Sequence, residues 1–147
     1  MATNVSNDGD QFYDLSLPVF PGAVHAVRTD IMLVQFLVEQ FFGFKGVSGA
    51  DVAKFASIKK RATARGGRFD DGKYGPLTRE ATLLYENVSK APVRDGIFRV
   101  VGSHLSDTGR MKIKHLNFIY SAKVAEQDKK FVALVNANPL LFNELYP

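Results

Sequence analysis

Three histidines, two adjacent aspartates and a row of basic residues are the side chains of this 147-residue chain whose types can do chemistry. His25, His104 and His115 are far apart in sequence, and no His-Glu-x-x-His pair, Gly-x-Ser-x-Gly elbow or phosphate-binding glycine loop accompanies them. The cysteine count is zero, which removes disulfides, thiolate metal sites and a cysteine nucleophile together. Asp70 and Asp71 can in principle share general-acid work. Adjacent carboxylates at a turn, however, serve more simply as a cap and its solvated neighbour. The expectation is a chain with no catalytic residue, no metal and no cofactor.

Binding chemistry is better represented. Lys54, Arg61, Arg65 and Arg68 recur at helical spacing, and from Lys45 to Lys73 eight Lys or Arg face three Asp, a surplus of five against +4 for the whole chain. Such a row is first a solvated helix face and second a contact for an anionic polymer, and no nucleic-acid motif raises the second reading. Phe12, Tyr13, Val19 and Phe20 form an apolar arm broken by Pro18 and Pro21. Each large side chain left in water forgoes about 1.5–3 kcal/mol, so the arm must lie on this domain or on a partner.

The elements that position these residues follow from period and punctuation. Asp70 to Tyr85 reads D-D-G-K-Y-G-P-L-T-R-E-A-T-L-L-Y. Asp71-Gly72 signals a turn, Gly75 is free to take angles closed to other residues, and Pro76 has its φ preset for a first helical turn. Leu77, Ala81, Leu84, Tyr85 and Val88 then place one apolar stripe on a helix. Upstream, Thr29 or Asp30 caps a helix running to Phe42 in which nine of the twelve residues from Ile31 are apolar. Gln35 and Glu39, four apart, share its narrow wet face.

Ser48 opens a further helix ending near Gly66-Gly67, with Val52, Phe55, Ile58 and Ala62 on its apolar side. Asp95-Gly96-Ile97-Phe98 echoes Asp71-Gly72-Lys73-Tyr74 without the Gly-Pro, which favours coincidence over a second repeat. Ile97 to Val101 can pair with Met111 to Ile113 as a small β-hairpin, and helix is expected from about Leu116 to Asn136. Met1 to Asp10 is polar and reads as a mobile tail. The longest apolar run is too short to span a bilayer, and no basic stretch followed by an apolar one opens the chain, so synthesis in the cytoplasm is expected.

The spacing D-G-x-[F/Y]-G-P-x-T-x-x-A-x-x-x-[F/Y], carried by Asp71, Gly72, Tyr74, Gly75, Pro76, Thr78, Ala81 and Tyr85, resembles the signature of the small three-helix peptidoglycan-binding domain. Glu86 stands where that family commonly has Gln, and Val34 to Phe44 resembles its first helix with one extra residue. The family joins these halves by a short loop; here residues 45–69 intervene. The resemblance implies a mainly α-helical fold: a peptidoglycan-binding-like three-helix core over 27–90 with an inserted helix, preceded by a tail and arm over 1–26 and followed by a helical extension over 91–147.

It also implies non-catalytic attachment to bacterial cell wall. Core packing is the first role the resemblance implies for Tyr74, Tyr85 and Phe44; Lys73, Tyr74, Arg79 and Tyr85 are the ligand-binding candidates, and a phage particle, a lysis machine or an injection apparatus would carry the module to the wall. The alternative is a structural or adaptor subunit that reuses the core and buries the arm on partner chains. His104-Leu105-Ser106-Asp107 faintly resembles a zinc-ligand segment of cell-wall peptidases, but the His and Asp are three apart rather than six.

Overall fold

An almost wholly apolar helix organises the molecule. In the computed structural model, which describes residues 3–7, 10–15, 18–21, 28–44, 46–64, 66–99, 112–113, 115–117 and 119, helix α1 spans Arg28–Phe42. Twelve of its fifteen residues are buried. A helix apolar on nearly every side must be surrounded by protein. Helix α2, Gly49–Ala64, and helix α3, Pro76–Val88, supply much of that surround. The described residues from 112 to 119 are helical as well and place Ile113 and Leu116 in the same core. The fold is mainly α-helical, and α1 and α3 meet where the ring of Phe41 packs edge-on against Tyr85 at 4.9 Å between centroids.

Local chemistry explains the ends. Ser48 Oγ accepts the Asp51 N–H at 3.3 Å and donates to the Asp51 carboxylate at 2.8 Å, so the first turn of α2 is capped by its own side chains. From there Phe55, Ile58 and Ala62 face inward as their spacing predicts, whereas Val52 is 38% exposed, because it lies one position off that stripe at the helix start. Phe55 stacks on Phe42 at 4.6 Å and meets Phe69 edge-on at 5.2 Å, joining α2 to the core through three rings.

The tail and the hairpin differ from expectation. Thr3–Asn7 (β1) and Asp10–Asp14 (β2) form an antiparallel pair with Asn7 opposite Asp10, in place of a mobile tail. Val19 is fully buried and exchanges both backbone hydrogen bonds with Phe98, at 2.9 and 2.8 Å. At Val19, therefore, the arm lies on its own domain. Lys112 and Ile113, expected to be strand partners of the run at Phe98, are helical. The expected helix from Leu116 agrees as far as residue 119, and the rest of it lies outside the described residues.

Candidate functional site

The Asp71-Gly72 turn is held by one buried amide. Gln35, expected on a wet face, is fully buried in α1. Its Oε1 accepts the Gly72 N–H at 2.9 Å. Its Nε2 lies 3.1 Å from Asp71 Oδ1, 3.1 Å from the Lys73 carbonyl and 3.0 Å from Thr78 Oγ1. Two amide protons serve three acceptors, so one proton is shared. Asp71 Oδ1 also accepts the Lys73 N–H at 2.9 Å, closing the turn locally.

Gly72 sits at φ +76°, and a Cβ there would run into Arg28 Cγ and lie 3.1 Å from Met32 Cγ of α1. Glycine is required at this position by both backbone and space. Gly75 is different. It is extended, φ −96° and ψ −171°, with open space where a Cβ would be, so its expected conformational role is absent. Pro76 follows as the first residue of α3.

A second Asp-Gly turn repeats the first. Gly96 has φ +74°, Ile97 N–H donates to Asp95 Oδ1 at 3.0 Å, and Gly96 N–H donates to Glu86 Oε1 at 2.8 Å. The likeness between the two turns is thus conformational as well as sequential. Here the buried acceptor is charged, and Lys112 Nζ answers it at 2.9 Å while also reaching Asp95 Oδ1 at 2.8 Å. Partial burial pushes the Asp95 carboxyl up, but hydrogen bonds from Lys112, Arg99 and the Ile97 N–H outweigh this and hold it well below the usual carboxylate range. Tyr85 and His115 complete the interior, with the hydroxyl 2.7 Å from Nδ1. Burial pushes the Tyr85 hydroxyl up and the His115 imidazole down.

The ligand-binding candidates part company. Tyr85 is 1% exposed and belongs to the core, which removes it from any ligand surface. Tyr74 and Arg79 line an open cleft of about 480 Å³ with Pro21, Pro76, Glu80 and Leu83. Lys73 lines a second cleft of about 310 Å³ on the other side of Gly75-Pro76, between Phe69, Asp71 and Leu77. The Tyr74 hydroxyl donates to the Gly96 carbonyl at 2.7 Å, which tethers the second turn to the first.

The three described members of the basic row each stand beside a carboxylate of the fold. Arg61 pairs with Glu80 of α3 at 2.5 Å, Arg68 makes two bonds to Asp70 at 2.9 and 3.0 Å, and Lys54 stands 3.9 Å from Asp51. Arg65 lies outside the described residues. Asp70 and Asp71 thus have separate partners and do not converge on one point. Of the arm, Phe12 and Tyr13 lie in β2, Val19 is buried, and Phe20 is 39% exposed. Among the described residues no cluster of three His, Asp or Glu is spaced to hold a metal, and no helix is long and apolar enough to cross a membrane. His25 and His104 lie outside them.

Sequence reasoning missed Gln35, Glu86 and Lys112 as the residues that hold the turns. A lone amide inside a greasy helix was a usable signal for Gln35. Nothing local marks Lys112, which meets Glu86 across 26 residues. No family model matches the chain, and no curated protein or solved structure matches it.

Proposed function

We infer that this chain is a non-catalytic cell-wall-binding module whose ligand surface is the cleft beside Gly75-Pro76. The observation that carries the reading is the use made of the signature residues. Asp71, Gly72 and Thr78 are committed to Gln35, while Tyr74 and Arg79 are left lining an open cleft of ligand size. The resemblance of Asp71 to Tyr85 to the peptidoglycan-binding signature supports the choice of ligand. Export by a phage, lysis or injection machine would bring such a module to the wall.

A second reading, an assembly subunit, draws support from Phe20, a large apolar side chain left 39% exposed on the arm beside the same cleft. Purified insoluble peptidoglycan separates the two. Retention of the folded chain, lost on Tyr74→Ala with the helical circular dichroism intact, is the outcome expected of a wall binder. Absence of retention together with a large particle by size-exclusion light scattering would replace it with the assembly role.

A further inference from the structure

The cleft beside Pro76 has an uneven chemistry. Its walls are the pyrrolidine rings of Pro21 and Pro76, the Leu83 side chain and the ring of Tyr74. The polar groups that border it are mostly engaged elsewhere: the Tyr74 hydroxyl proton goes to the Gly96 carbonyl at 2.7 Å, and the Glu80 carboxylate takes Arg61 at 2.5 Å. Arg79 is exposed, close enough to Tyr74 to act on its hydroxyl electrostatically, and has no carboxylate partner among the described residues. Among the described residues, the recognition chemistry of the cleft is one available cation on an apolar wall.

A sugar ring displays hydroxyls around its edge and needs several convergent hydrogen-bonding groups, with an open aromatic face to stack on. The cleft supplies one aromatic wall, Tyr74, but among its described lining residues only one uncommitted donor group, too few convergent hydrogen bonds to hold a sugar ring. A peptide end with an aliphatic side chain and a free carboxylate asks for what is present, since a guanidinium grips a carboxylate through two parallel N–H bonds. We propose that the cleft reads the carboxylate-bearing end of a short wall peptide through Arg79, and leaves the glycan unread. This rests on the wall-binding reading and narrows it to one ligand chemistry. Lys73, across the Gly75-Pro76 ridge in the other cleft, takes no part.

Titration calorimetry on the full chain tests it with three probes: a sugar-free stem peptide, the same peptide with its carboxylates converted to amides, and a peptide-free glycan oligomer. The acid form should bind, the amide form should bind roughly tenfold more weakly, and Arg79→Ala should erase that difference while Lys73→Ala stays within about twofold. Arg79 is exposed, so the variant should melt as the parent does; Arg79→Lys, which keeps the charge and loses the fork, should fall between. Equal binding of acid and amide, no peptide binding, or binding of the glycan oligomer alone overturns the proposal. Retention on insoluble peptidoglycan in parallel shows whether the wall-binding reading survives that failure or falls with it.

Discussion

At Gly72 a single hydrogen stands between a turn and a collision. Its positive φ and the approach of Arg28 and Met32 predict that Gly72→Ala costs about 2 kcal/mol. Gly75→Ala, at an extended backbone in open space, should stay within about 0.5 kcal/mol, as chemical denaturation of the two variants side by side will show. Gln35→Ala removes an amide that serves four polar groups and leaves the buried Gly72 N–H without a partner. The expected cost is about 3 kcal/mol, seen as a drop in melting temperature of roughly 6–12 °C. His115 belongs to the same scale. Its imidazole is held below the ordinary value of 6.5 by burial, so the unfolded chain binds the proton more readily and stability falls as pH drops below about 6.5. Melting curves between pH 7.5 and 5 should show this slope, and His115→Gln should flatten it.

Between elements, the two Asp-Gly turns use one geometry with different electrostatics. In the first, a neutral amide from α1 meets the turn and the start of α3; in the second, a carboxylate from α3 meets the turn and needs a cation from the helix at Lys112. A buried ion pair adds little net stability, but breaking one leaves an uncompensated charge. Lys112→Met should therefore destabilise by roughly 3–5 kcal/mol, and adding Glu86→Gln should recover most of it, making the second turn chemically like the first. A double-mutant cycle in urea measures the coupling. Additive costs would mean that Glu86 and Lys112 do not sense each other. The Arg61–Glu80 and Lys59–Glu39 pairs, which tie α2 to α3 and to α1, are solvent-exposed, so their contribution is small and should weaken further with salt.

For the whole molecule, an aromatic core ties the helices together while leaving the cleft of Tyr74 and Arg79 open. Retention on peptidoglycan should fall with Tyr74→Ala and survive His115→Gln, since only the first changes the cleft wall. Much of this architecture was legible along the chain. The greasy run of α1, the Pro76 start and the Phe55, Ile58, Ala62 stripe each depend on neighbours within a turn or two, and such local rules act before any tertiary contact forms. The partners of Gln35, Glu86 and Lys112 were not legible, nor was the pairing of Val19 with Phe98. Each joins residues far apart in sequence, and a polar side chain does not reveal by its type whether it will meet water or a buried N–H. Sequence alone determined where the rods begin and which faces are apolar, because sterics and hydrophobic period are local. Only the packed fold decided that Gln35 goes inside, that Arg61 finds Glu80, and that Arg79 is left exposed beside the cleft, because those outcomes depend on which distant groups arrive within hydrogen-bonding reach.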